Sequence, residues 1–282
     1  MSDFSDAALV LVGHGSTQNA DSSAPVFQHV AQLRSRRLFS QVRESFWKQD
    51  PHVAQVLPQL AEARIFLVPL FISAGYFSEN VIPRSLGFGF KDQEGVERMR
   101  RHGAQKLFYC RPVGSHESMT GVLLARAREV IENFPFPRAP KPHDITLFVA
   151  GHGTEQNENS RKAIEHQVER IRAQNIYAGV HAVFLEEEPR VSACYQLALT
   201  KNIVVVPFFI SDGLHVQEDI PVLLGQPERI VQQRIQNRQA TWRNPTEKHG
   251  KLVWCAGSVG TEPLMADVIL ERVREAASWG GI

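Results

Sequence analysis

Short apolar runs alternate with longer amphipathic stretches along the whole chain. Runs at 7–12, 65–68 and 106–109, and again at 146–150, 182–185, 203–206 and 252–254, read as strands. Their apolar positions do not alternate strictly with polar ones, which predicts strands covered on both faces, as in a parallel sheet. Between them, patterns of helical period cover 25–47, 51–62, 117–132, 156–174, 189–200 and 262–277. Strand–helix alternation of this kind predicts βαβ units and a three-layer α/β fold.

Two parts of the pattern are written twice. LVLVGHGST (9–17) returns as LFVAGHGTE (147–155), and VPLFISAGYFSENVIP (68–83) returns as VPFFISDGLHVQEDIP (206–221). His14 and His152 differ by 138 (152 − 14), as do Pro51 and Pro189, Pro69 and Pro207, Gly75 and Gly213, and Pro83 and Pro221. The chain is therefore a tandem duplication. The tract NFPFPRAPKPH (133–143), with Pro135, Pro137, Pro140 and Pro142, predicts a stiff, extended connector. The expected domains are an N-terminal lobe over 1–134, a linker over 135–143 and a C-terminal lobe over 144–282. A chain of 282 residues suits two such domains, and each half is large enough to bury most of its apolar surface.

Composition narrows the class. Hydrophobic residues make up 43% and charged residues 22%, the profile of a soluble globular protein. A net charge of +1 predicts neither a nucleic-acid nor a membrane partner. The longest apolar run, around 65–77, is broken by Pro69 and too short to cross a bilayer. The start, MSDFSDAALV, has no basic region followed by an apolar core, so a cytoplasmic location is expected. Cys110 and Cys255 end equivalent runs, KLFYC and KLVWC, and are read as buried strand residues. With Cys194 they show no zinc or iron–sulfur spacing.

The duplication separates scaffold from chemistry. Glycines and prolines recur in both copies, whereas His215, Glu218 and Asp219 of the second face Phe77, Asn80 and Val81 of the first. The second half is thus expected to hold a working site and the first to serve as scaffold. Ligands of an open parallel sheet sit beyond the carboxyl ends of its strands. Gly151 and Gly153 let the chain turn tightly there, so that His152 projects into the crevice, and Thr154 suits the cap of the next helix. His215 also follows a strand. A third run, FLEEEP (184–189), ends another strand and offers Glu186 first, with Glu187 and Glu188 as alternatives. Two imidazoles and a carboxylate form a ligand set for divalent first-row ions, and equally an acid–base set. Glu218 and Asp219 either orient the His215 ring or cap the helix that follows. The basic residues of 228–251 are read either as a solvated helix and loop or as a wall facing an acidic ligand.

GHG[ST] after a first strand, together with VPLFIS-type strands ending in DGLHVQEDIP, resembles the CbiX-type sirohydrochlorin chelatases, class II tetrapyrrole chelatases. The resemblance covers roughly 7–132 and 145–277. It implies two tandem chelatase-like (flavodoxin-like) α/β lobes, each a parallel four-stranded sheet flanked by helices. It implies that His152 and His215 bind the metal, with Glu186 beside them, and that the same three residues carry catalysis. His14 matches the first histidine in the other half, but Phe77 stands where its partner should be. The implied reaction inserts a divalent metal into a sirohydrochlorin-like tetrapyrrole in cobalamin or siroheme synthesis, and the many carboxylates of such a substrate make Arg161, Lys162 and the 229–251 segment candidates for a basic wall that holds it. No tightly bound cofactor is implied: the metal is substrate, and cobalt, iron and nickel are not separable by these residue types. A monomer or homodimer is expected. Two alternatives remain: a metal-delivery protein on the same fold, and a histidine phosphatase, which needs an arginine where Gly13 and Gly151 stand.

Overall fold

The computed structural model describes residues 4–17, 20–91, 95–153 and 158–279. The first repeat runs β1 (Phe4–Gly13), α1 (Ala24–Arg36), β2 (Phe39–Phe46), α2 (Val53–Val56), β3 (Arg64–Pro69) and α3 (Ile82–Ser85). It continues with β4 (Phe90–Lys91), β5 (Gly95–Val96), β6 (Met99–His102), β7 (Gln105–Tyr109) and α4 (Met119–Asn133). The second repeat runs β8 (Ile145–Gly151), α5 (Glu158–Arg172), β9 (Gly179–Phe184), α6 (Cys194–Leu197), β10 (Asn202–Pro207) and α7 (Ile220–Leu223). It ends with α8 (Glu228–Gln236), β11 (Thr246–Lys248), β12 (Lys251–Cys255) and α9 (Met265–Ser278).

β4 and β5 pair with each other as a separate antiparallel ribbon, and the other ten strands form two five-stranded sheets, ordered β2-β1-β3-β7-β6 and β9-β8-β10-β12-β11. Four strands of each are parallel, as expected, and the fifth, β6 or β11, is a short antiparallel edge strand. Both faces of the central strands are covered: Ala7, Ala8, Leu9, Val10, Leu11 and Val12 of β1 are all fully buried. That is why these runs read as continuous apolar stretches rather than alternating ones.

Three helical expectations need correction. The stretch 25–47 is not one helix: α1 stops at Arg36, Arg37 turns left-handed at φ 52, and β2 follows. β2 lies at the sheet edge with polar residues on its outer side, so its pattern resembles that of an amphipathic helix. The stretches 51–62 and 189–200 contain only short helical turns, α2 and α6 with brief 3-10 turns beside them.

The compact units do not follow the linear repeats. One comprises 1–116 with 263–282, and the other 117–262. Each repeat's last helix thus belongs to the other repeat's unit: α9 packs against β3 and β7, and α4 against β10 and β12. The proline-rich tract follows α4 and lies inside the second unit rather than between the two.

Each exchanged helix is fastened by a buried arginine. Arg272 of α9 donates from Nε and Nη2 to the Pro112 carbonyl at 3.0 and 2.7 Å, and from Nη2 to Ser115 Oγ at 2.8 Å. Arg126 of α4 donates from Nε to the Ser258 carbonyl at 3.0 Å and from Nη2 to Thr261 Oγ1 at 2.7 Å. Arginines, carbonyls and hydroxyls correspond at one offset (272 − 126 = 146; 258 − 112 = 146; 261 − 115 = 146), which has grown by eight (146 − 138) across the longer 228–251 segment. Burying a guanidinium requires that its N–H groups find acceptors, and a main-chain carbonyl supplies one without adding a second buried charge.

Arg272→Met removes these donors and leaves the Pro112 carbonyl without them. It should destabilise the protein by about 2–3 kcal/mol, read from the urea midpoint. Arg274→Met, at an exposed position paired with Glu271, should change stability by less than about 0.5 kcal/mol. Equal effects would contradict the fastening role.

Candidate functional site

In each sheet the strand order reverses beside the repeat's first strand, with β1 between β2 and β3 and β8 between β9 and β10. At such a switch point, connections leave on opposite faces and open a crevice beyond the strands' carboxyl ends. In the second repeat Ala150 is level with Pro207, and Gly151 with Phe184. The segments leaving β9, β8 and β10 therefore start side by side, and they carry Glu186, His152 and His215.

The glycines around His152 are needed where they stand. Gly153 has φ +64, and a Cβ there would lie 2.7 Å from Phe184 Cβ; one on Gly151 would lie 1.9 Å from Ile164 Cδ1. Thr154, the expected cap, lies outside the described residues.

The three residues singled out in the sequence come together. The His152 and His215 rings meet edge to face, with centroids 4.8 Å apart and planes at 83°. The Glu186 N–H donates to the His152 carbonyl at 3.1 Å. Glu186 Oε2 lies 3.5 Å from His152 Nδ1, which is also 3.4 Å from the Gly153 carbonyl. Glu187 and Glu188 are engaged elsewhere: Arg161 donates to Glu187 at 2.9 Å, and the Arg190 N–H to Glu188 at 3.0 Å. Among the described residues no three His, Cys, Asp or Glu side chains converge closely enough to enclose an ion. The site is an open imidazole pair with one carboxylate beside it.

His215 begins a wide, π-type turn, His215–Asp219, closed by the Ile220 N–H on the His215 carbonyl. Its Nδ1 lies 2.6 Å from Asp219 Oδ2. Asp219 makes no capping bond to α7, so of its two expected roles the contact with the ring is the one present. Glu218 accepts from Gln232 Nε2. A cavity of about 390 Å³ adjoins His215, with Glu186, Glu218, Asp219 and Glu228 on its walls and Arg190 among them. Arg190 donates to the Leu185 carbonyl at 2.5 Å, so four carboxylates face one cation there.

The first repeat keeps the scaffold and exchanges the chemistry. His14 meets Phe77 edge to face at 4.9 Å and 84°, nearly the geometry of the histidine pair. Glu186 has its counterpart in Lys48 (186 − 138 = 48), whose N–H donates to the His14 carbonyl at 2.8 Å and whose Nζ lies 5.3 Å from the Phe77 ring centre. Sequence reasoning missed Lys48, although the constant offset pointed to it. Burial pushes the His14 imidazole below its ordinary pKa, the Gly15 carbonyl opposes this, and Lys48 adds to the lowering. A ring held neutral, an apolar ring and an ammonium replace two imidazoles and a carboxylate.

The proposed basic wall is largely occupied. Arg161 also bonds Glu165, Lys162 bonds Glu158, Arg234 bonds the Thr241 carbonyl, Lys248 bonds that of Gly225, and Lys251 bonds those of Ala198 and Thr200. The cysteines are buried and free, as expected for Cys110 and Cys255. Burial raises all three thiols, those of Cys194 and Cys255 to about 12, which removes them from nucleophilic chemistry near neutral pH. No helix among the described residues is long and apolar enough to cross a membrane.

Comparison with known proteins adds to this geometry. The CbiX family model matches residues 8–130 and 146–276. A Halobacterium salinarum protein named "Probable sirohydrochlorin cobaltochelatase" is 41% identical over 281 residues, covering 96% of this chain and 92% of its own. The sirohydrochlorin cobaltochelatase of Methanopyrus kandleri is 28% identical over 143 residues, covering 47% of this chain and 96% of its own, the length of one repeat. Among solved structures, DR2241 of Deinococcus radiodurans, described as a multi-domain protein with structural similarity to chelatases, has a TM-score of 0.76 and 29% identity. That match covers 98% of this chain and 55% of the Deinococcus chain, so this chain spans about half of it. SirB from Bacillus subtilis shares the fold, with a TM-score of 0.69 and 16% identity over 98% of this chain and 97% of its own.

The lowered pKa of His14 has a pH signature. The unfolded imidazole gains a proton as pH falls through its ordinary 6.5, and the folded one only at lower pH. In that window the unfolded state holds more protons, so this group's contribution to stability falls as pH falls. His14→Phe removes the effect. Its stability relative to the parent should rise steadily from pH 7 to pH 5 in urea titrations, and a constant difference would contradict the neutral, half-buried ring.

Proposed function

The chain belongs to the CbiX family, and from that premise we propose that it is a sirohydrochlorin chelatase inserting a divalent metal, cobalt foremost, into the ring. The observation that carries this reading is the edge-to-face pair of His152 and His215 at the ends of adjacent parallel strands, with Glu186 beside His152. Cobalt is favoured over ferrous iron because the relatives that resemble the chain in sequence are named cobaltochelatases. Cobalamin synthesis is the pathway that fits a cobalt product; siroheme synthesis would fit an iron one.

The residues suit the chemistry. Metal insertion exchanges two pyrrole protons for one divalent ion, and the ion must shed water as ring nitrogens replace it. Neutral imidazoles hold such an ion through nitrogen lone pairs while leaving most of its coordination positions open. An enclosed ion could not be released to the ring, so an open pair of ligands suits transfer better than a closed cage. Glu186, exposed and close to His152, can steady the ion's charge or accept a departing proton. The carboxylate-lined cavity beside His215 favours a cation over an acidic ring.

The test is steady-state insertion on the purified protein. Sirohydrochlorin is mixed with cobalt, ferrous or nickel ion and the visible spectrum is followed. Turnover well beyond one equivalent, fastest with cobalt, is the expected result; a stoichiometric change only would indicate a metal-delivery protein. His215→Ala should lower turnover by about a hundredfold or more, whereas His14→Ala should leave most of it. Equal losses would overturn the assignment of the site to the second repeat.

A further inference from the structure

The turn that carries His215 exists twice, and only one copy contains a hydrogen-bonded pair. Phe77–Val81 and His215–Asp219 are the same five-residue π-type turn, each closed by the next N–H, of Ile82 or Ile220, on the carbonyl of its first residue. Phe77 and Val81 stand where His215 and Asp219 stand (215 − 77 = 138; 219 − 81 = 138), and two hydrocarbon side chains share no hydrogen bond. The turn therefore forms without a polar bridge. Nor does Asp219 serve α7, because its side chain caps nothing. Both members of the pair are about half exposed, where such a contact adds little to stability. Neither the local fold nor its stability accounts for Asp219 Oδ2 lying 2.6 Å from His215 Nδ1.

The contact does fix the state of the ring. An ionised carboxylate only accepts hydrogen bonds, so the Nδ1 facing it must carry the proton. In a neutral imidazole the lone pair then belongs to Nε2, and a flip of the ring would break this hydrogen bond. His152 has no equally short partner: its Nδ1 stands 3.4 Å from the Gly153 carbonyl and 3.5 Å from Glu186. One imidazole of the pair is thus anchored and the other is held loosely.

We propose that Asp219 is the positioning residue of this site, holding His215 as the Nδ1–H tautomer so that Nε2 is the nitrogen presented to the substrate metal. The inference rests on the chelatase reading for its metal and on hydrogen-bond geometry for the rest. The asymmetry suits a transfer site: a fixed ligand keeps the ion in place while a looser one lets go. The loss of both partners from the first repeat is accounted for, since an orienting carboxylate has no use without its imidazole.

Asp219→Val, which installs the first repeat's residue, is the direct test, with Asp219→Glu as the conservative companion. Long-range proton–nitrogen-15 correlation spectra of the metal-free parent should show His215 protonated on Nδ1, and Asp219→Val should shift it toward a mixture of tautomers. Titration of the metal-free proteins with cobalt alone, followed by its visible absorption, should give about 10–100-fold weaker binding for Asp219→Val, partly restored in Asp219→Glu. The urea midpoint should not move, because the first repeat builds the same turn with valine. With sirohydrochlorin, KM for cobalt should rise in step with the binding loss. An Nε2–H tautomer in the parent, or undiminished cobalt binding by Asp219→Val, would overturn the proposal. A parent that binds cobalt with this tautomer yet inserts none would overturn the chelatase reading and leave the positioning role standing.

Discussion

Parallel pairing of β8 with β9 on one side and β10 on the other is the constraint from which the site follows. The two histidines lie 63 residues apart (215 − 152), and no local structure could bring them together. Hydrogen bonding in register does so, because it sets the ends of three strands level and releases three segments into one crevice. That register is enforced by burial on both faces: Leu147, Phe148, Val149 and Ala150 of β8 and Ile203, Val204, Val205 and Val206 of β10 are all fully buried. A slip of one residue would turn every side chain of a strand to the opposite face, and the imidazoles would no longer meet.

The duplicated half is a built-in control on what packing alone requires. It keeps the left-handed glycine, the π-type turn and the edge-to-face ring contact, with centroids at 4.9 Å rather than 4.8 Å. These features belong to the scaffold. What differs is donor chemistry: an imidazole becomes Phe77, its carboxylate partner becomes Val81, and Glu186 becomes Lys48. An ammonium in place of a carboxylate reverses the local charge and repels a cation. Among the described residues, the second repeat sets an imidazole pair and a carboxylate on this scaffold, and the first does not.

Much of this was legible in the chain. The buried runs, three parallel strands of the first half and four of the second, and the placing of His152, His215 and Glu186 beyond strand ends followed from apolar patterning and the repeated motifs, whereas four strands in each half came from the family resemblance. β2 was hidden because α1 ends at Arg36 with the left-handed Arg37 after it, without the glycine or proline that usually marks such a stop, and because an edge strand is polar on one side. The offset of 138 pointed to it nonetheless, since the equivalent run, 182–185, reads as a strand. The edge strands β6 and β11 are short and mostly polar, so they carry no hydrophobic signal. The exchange of α4 and α9 was out of reach for a different reason. Both helices come from copies of one repeat and present the same arginine to the same kind of carbonyl, so either could fasten to either sheet as far as residue types tell.

That the second repeat's imidazoles jointly hold the substrate ion is best tested by X-ray absorption at the cobalt edge on protein loaded with one equivalent of cobalt. Two histidine-type scatterers per ion are expected, with oxygen donors filling the remaining positions, and one such scatterer fewer in His152→Ala. A shell of oxygen donors alone, or an unchanged imidazole count in His152→Ala, would contradict it.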